Sequence, residues 1–200
     1  SSLPRISFHL SVGMGSQTDP IGAEGIANLT VDALESGTSH RSASKLAEDL
    51  EYLGSELSLH TGLDQSSIAV HGMSVYEEDL LGIFSDVILN PAFQESEILK
   101  KKKEIIAQIE KQKDNPDIVI DQLFRQELFQ GTRWSSPVLG YKTTLDKIAR
   151  TEVIKTYFQF FRPNNSVLVV GGKFDESFKE KVKTQFGAWQ PKEVNYDAGP

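Results

Sequence analysis

Gly25-Ile26-Ala27-Asn28-Leu29-Thr30-Val31-Asp32-Ala33-Leu34-Glu35-Ser36-Gly37-Thr38 is the stretch from which the rest of the chain can be read. A helix is expected over about residues 23–36, with Gly37 supplying its stop. Positions i and i+4 share a helical face, so Asn28 and Asp32 lie together with Val31 between them. At that spacing two side chains can share a metal. The residue types are wrong for it. Asn28 offers a weakly ligating amide oxygen, and Val31 cannot accept a proton. Asp32 supplies one hard oxygen, a poor match to zinc without nitrogen or sulfur partners.

Upstream, Ile6, Phe8, Leu10 and Val12 alternate with Ser7, His9 and Ser11, which predicts a strand over 4–14. Downstream, Ser42 is a suitable N-cap for a helix with Leu46, Leu50 and Leu53 on one stripe and Gly54 at its end. Residues 57–60 and 67–73 are expected to pair as a hairpin across Gly62-Leu63-Asp64. Ser74-Val75-Tyr76-Glu77 has the form of a capping box opening a helix that Asn90-Pro91 closes. A long helix is expected over 95–113, with Ile98, Ile105, Ile106 and Ile109 inward. Asn115-Pro116 starts the next, which carries Val119, Ile120, Leu123, Phe124 and Leu128. Thr143 to Asp146 caps a short helix, and 151–161 forms another. A turn at Arg162 to Asn165 leads into a strand over 166–171, and a last helix runs over 175–186. Residues 192–200 lack periodicity and are expected to be a linker. Hairpin-connected strands with massed helices imply an α+β fold: an open, mostly antiparallel sheet covered by helices.

Two hundred residues with 38% apolar content suit one domain with a packed core. No apolar run approaches the ~20 residues a bilayer-spanning helix requires. With no cysteine, disulfides, thiolate metal sites and a Cys nucleophile are excluded. The absence of cysteine leaves both periplasm and cytoplasm open. The net charge of -7 argues against nucleic acid as a partner. The charge is uneven: residues 1–99 carry 3 basic against 15 acidic side chains, and residues 100–200 carry 18 against 13. The chain starts without Met and has no signal-like segment, which suggests part of a longer protein.

Gly25, Ala27, Gly37 and Thr38 resemble the frame of the metal-binding helix of the pitrilysin/insulysin peptidases, a family that includes the mitochondrial processing peptidases. Active members follow Gly-x-Ala with His-x-x-Glu-His. Here Asn28, Val31 and Asp32 stand at the two histidine positions and the glutamate between them. The resemblance also places Gln108 at the position of the third ligand, a glutamate on a later helix, and Lys101 where a supporting glutamate usually sits. Further matches are Leu50-Glu51-Tyr52-Leu53-Gly54, Asn90-Pro91-Ala92-Phe93, Phe161-Arg162-Pro163-Asn164-Asn165 and Phe186-Gly187-Ala188-Trp189. Each is weak alone, and their order is specific.

The resemblance implies a lobe of the LuxS/MPP-like metallohydrolase type. In that family two pairs of lobes close as a clamshell around peptide, one pair carrying zinc and the other often silent. The chain resembles the first lobe of a silent pair, spanning 1–190, with 191–200 leading to a second lobe. No catalytic residue and no metal ligand is then expected, and Asn28, Val31, Asp32 and Gln108 are degenerate ligand positions. Zinc is expected in a catalytic half, in cis or in trans. Peptide substrate would be a partner, with no nucleic acid and no transmembrane segment. The alternatives are an active zinc metalloendopeptidase with unrecognised ligands and a purely structural subunit like the core proteins of the respiratory cytochrome complex.

Other features carry milder expectations. His60 and His71 could face each other across the hairpin, although strand histidines are more often solvated. Asn28, Asp32 and Gln108 are expected to form a hydrogen-bonded polar cluster. Lys100 to Lys103 are expected to be the solvated face of the long helix. No nucleophile elbow supports Ser-His-Asp catalysis.

Overall fold

The alternating stretch near the N-terminus becomes β1 (Arg5–Val12), with Ile6, Phe8, Leu10 and Val12 buried and Ser7 and His9 exposed. The computed structural model describes residues 4–196. After β1 come α1 (Ile26–Asp32), α2 (Ala43–Tyr52), β2 (Leu57–Thr61), β3 (Ser66–Met73), α3 (Glu77–Leu89), α4 (Glu95–Gln112), α5 (Pro116–Leu128), α6 (Lys142–Leu145), α7 (Arg150–Phe160), β4 (Ser166–Gly172) and α8 (Glu176–Phe186). The four strands form one sheet in the order β2-β3-β1-β4, every neighbouring pair antiparallel. This is the expected α+β architecture.

The sheet's apolar face supports the core. Phe8 packs its ring 5.6 Å from Phe84 of α3 and 6.0 Å from Phe178 of α8. Ile26, Leu29, Val31 and Leu34 belong to the same cluster. Truncating a buried Phe of this kind to Ala costs about 3–5 kcal/mol. The opposite face of the sheet carries Ser7 and His9 of β1, His71 of β3 and Ser58 and His60 of β2, all exposed.

Several local expectations are corrected. The predicted helix over 23–36 begins as an α-helix only at Ile26 and finishes as a 3₁₀ turn over Ala33–Ser36. Its start is late because Gly25 adopts φ 96°, a left-handed conformation open to glycine. A Cβ at Gly25 would lie 2.5 Å from the Leu139 carbonyl oxygen. The Ser74 capping box does not form. The backbone N–H of Ser74 donates to Pro4 O at 2.8 Å, and a 3₁₀ turn over Ser74–Tyr76 precedes α3. Before α6 the cap is Tyr141, whose N–H donates to Thr144 Oγ1 at 3.2 Å, so Thr143 is not the cap. Ser42 and Asn115 cap α2 and α5 as expected, accepting from the N–H groups of Lys45 and Asp117.

His60 is paired with Ser67 and His71 with Ser7, so the two histidines do not face each other. The hairpin register places His71 beyond the end of β2, opposite β1. Helix α5 exposes Ile120, Leu123, Phe124 and Leu128 and buries no residue fully. Of the expected linker, Lys192 to Tyr196 lacks regular structure but is tied to the domain. Asn164 Nδ2 donates to Lys192 O at 3.0 Å, and Tyr196 Oη donates to Gly13 O at 3.0 Å. Residues 197–200 lie outside the described residues.

Candidate functional site

Helix α1 packs on α4 and on β2, which brings the sequence-derived positions into one region. Asp32 and Gln108 line a common cavity of about 470 Å³ together with Glu35, Glu56, Lys101 and Glu104. Asn28 is buried beside it, and its Nδ2 donates to Asp32 Oδ2 at 3.0 Å. Val31 is fully buried and belongs to the apolar core. The expected polar cluster therefore forms only in part. Asn28 and Asp32 are bonded, while Gln108 is exposed and makes no hydrogen bond to either among the described residues.

The central charge of the cavity was missed at the level of sequence. Lys101 Nζ lies 2.5 Å from Glu35 Oε1 and 2.8 Å from Glu104 Oε2. Burial opposes the charge on Lys101, but Glu104 and Glu35 outweigh it and raise its pKa above the ordinary lysine value. Burial pushes the Asp32 carboxyl up to about 6, with Glu35 raising it further and Lys101 and Asn28 pulling it down. The Lys101–Glu104 spacing of i, i+3 was legible as a helical pair. The Glu35 contact was not, since it joins residues 66 positions apart.

The lysine run is not a uniform solvated face. Lys100 and Lys103 are exposed, but Lys102 is buried and donates to the carbonyls of Asp146 and Ile148 at 3.1 and 3.0 Å. It tethers the segment between α6 and α7 to α4.

Two buried aspartates hold the frame. Asp19 accepts from the N–H groups of Gly25 at 2.7 Å and Ala27 at 3.0 Å, anchoring the start of α1. Burial raises its carboxyl to about 7 in spite of these two donors. Asp86 of α3 accepts from Thr38 Oγ1 at 2.6 Å, Arg41 Nη1 at 2.5 Å and Asn90 Nδ2 at 3.0 Å, and its Oδ1 lies 2.6 Å from His40 Nδ1. Burial works to raise the Asp86 pKa, and the four partners together win and lower it. Gly37-Thr38 thus ends the α1 segment on a fixed anchor.

This set of residues does not fit a zinc ion. A zinc site in a peptidase takes nitrogen and carboxylate ligands with an open position for water. Here an amide, a carboxamide and one carboxylate face an ammonium group, and the position of the general base is apolar core. Among the described residues, no group of three or more His, Asp or Glu is arranged to hold a metal.

Residues 3–142 match the model of the family Insulinase (Peptidase family M16). The chain belongs to the M16 family. A protein described as an uncharacterized zinc protease from Rickettsia bellii is 26% identical over 193 residues, which is 96% of this chain and 47% of that protein. A non-peptidase homolog from Helicobacter pylori is 25% identical over 179 residues, 88% of this chain and 41% of that protein. A solved structure, the peptidase M16 inactive domain from Pseudomonas fluorescens, superimposes with a TM-score of 0.89 at 21% identity, covering all of this chain and 49% of that one. The chain thus spans less than half the length of the curated relatives it matches. No helix of the described residues is long and apolar enough to cross a membrane.

Proposed function

We propose that this chain is a non-catalytic M16 lobe that shapes a peptide chamber and works with a zinc-bearing catalytic half. The observation that carries the reading is the cavity between α1, α4 and β2. An ammonium group and its two carboxylates stand there beside Asp32 and Gln108, and Val31 has joined the core. With no imidazole at positions 28 and 32 and an apolar side chain at 31, the zinc-water chemistry of an active peptidase has neither its ligands nor its base here. Two relatives support the reading, one described as an inactive domain and one as a non-peptidase homolog. Pairing with a second lobe is supported by the matched chains, which run to about twice this length. In this reading residues 1–190 are the first lobe of a silent pair, and 191–200 lead on to the second.

The contact with peptide would use the sheet edge. Among the described residues β2 has β3 on one side and no strand on the other, and Leu57 and Leu59 line the cavity. An extended peptide can add to such an edge through backbone hydrogen bonds, which tolerate many side chains. Reconstitution tests the proposal. The catalytic half is assayed on unstructured peptide with and without the protein bearing this lobe. Turnover is expected to need both, and chelator-sensitive cleavage by this chain alone would overturn the reading.

A further inference from the structure

Beside the cavity lies a second hollow that the degenerate metal positions do not reach. It is a groove of about 510 Å³ between α2, the start of α4 and the β2 edge. Its floor is apolar, with Ala43, Leu46, Ala47, Leu50 and Leu57. Four carboxylates rim it, those of Glu35, Glu51, Glu56 and Glu97, against the two ammonium groups of Lys100 and Lys101. Lys101 is already engaged by Glu35 and Glu104. Among the described residues Glu51, Glu56 and Glu97 have no ion-pair partner. Ser36 also lines the groove, and its buried Oγ has no hydrogen-bond partner.

We infer that this groove is a specificity pocket for a long basic side chain, lysine or arginine, of an extended peptide added to the β2 edge. The inference rests on the strand-addition reading above and names what that peptide must carry. Glu56 and Leu57 line both the groove and the neighbouring cavity, so the two hollows run along the same strand. In an added strand, side chains on one face repeat at roughly 7 Å, so a residue directed toward the helices enters the groove while its neighbours point away. A lysine or arginine has a hydrocarbon stem for the apolar floor and a charged tip for the rim. The excess of carboxylates attracts that tip, and Ser36 Oγ offers it a hydrogen-bond acceptor. An acidic side chain there would meet like charge, which discriminates as strongly as the attraction does.

The test uses the protein and three dye-labelled peptides of identical extended, neutral sequence that differ at one central position: lysine, norleucine or glutamate. Binding is read by fluorescence anisotropy at low and high salt. The lysine peptide is expected to bind about tenfold more tightly than the norleucine peptide, with the glutamate peptide weakest. High salt should narrow the gap. The double variant Glu51→Gln, Glu97→Gln should remove the lysine preference, so that the lysine and norleucine peptides bind equally tightly. Both residues sit on the groove rim, and far-UV circular dichroism confirms that the variant keeps its fold. Equal binding of all three peptides overturns the pocket and leaves strand addition standing. Binding of none of them overturns strand addition, and the pocket with it. A lysine preference that survives in the double variant places the recognition elsewhere and also overturns the inference.

Discussion

Lys101 Nζ stands 2.5 Å from Glu35 Oε1, joining α4 to the end of the α1 segment across the cavity lined by Asp32 and Gln108. A cation carried by the chain is thus fixed between two carboxylates in the region where the family resemblance places a metal. Half-exposed carboxylates on both sides keep the pair partly solvated, so its contribution to stability is modest. Its effect on the chemistry is larger, because Lys101 occupies Glu35 and Glu104, two carboxylates that an entering metal ion would otherwise draw on.

Zinc binding tests this directly. The protein is expected to hold no stoichiometric zinc after dialysis against micromolar metal, as read by elemental analysis. Installing the three ligands Asn28→His, Asp32→His and Gln108→Glu is expected to create affinity. Adding Lys101→Met to that variant should tighten zinc by about tenfold or more, measured by calorimetry. An unchanged affinity would show that Lys101 does not oppose a metal.

The Asp32 carboxyl gives a pH signature. Its folded value of about 6 lies above the ordinary 3.8, so the native state binds the proton more tightly than the unfolded chain. Stability from this group is fully present below about pH 4 and is lost as the pH rises through about 6. The loss is about 3 kcal/mol. Asp32→Asn should flatten the stability curve in that window. Urea unfolding of both proteins from pH 4 to 7 gives the difference curve, which should fall with rising pH and level off above about 6.5.

Asp86 is expected to act with the opposite sign. Its pKa is lowered in the fold, so its contribution is present near neutrality and disappears as the pH falls through the acid range. Asp86→Ala strips Thr38, Arg41 and Asn90 of their acceptor. A loss of about 3–5 kcal/mol is expected, the range for breaking a buried ion pair, measured by denaturant unfolding at pH 7.

Gly25→Ala should be costly for a geometric reason. The residue needs φ 96°, and its Cβ would press on backbone at Leu139 and Gly140. Gly140 returns the constraint, since a Cβ there would lie 2.0 Å from Glu24 O. A loss of a few kcal/mol is expected for either substitution. By contrast Gly22→Ala, at φ 87° with open space around it, should suffer only the backbone penalty of about 1 kcal/mol. Thermal unfolding of the three variants separates steric contact from backbone strain.

Local patterns in the sequence determined the element order and the strand faces. Period two in β1 and the caps at Ser42 and Asn115 act between residues close in the chain, so they could be read without a fold. The frame of Gly25, Ala27, Gly37 and Thr38 pointed to the family, and the residue types at 28, 31, 32 and 108 pointed away from zinc. The tertiary structure decided which of these residues meet. Lys101 finds Glu35, Asp86 finds Thr38 and Arg41, and Asp19 finds the start of α1, through contacts that depend on how helices pack on the sheet. It also decided that Lys102 lies inside the domain while Lys100 and Lys103 stay outside. A run of like charges on a helix carries no mark of which turn faces a neighbour. Burial, and with it the raised carboxyls of Asp19 and Asp32, arises only when distant segments exclude water together.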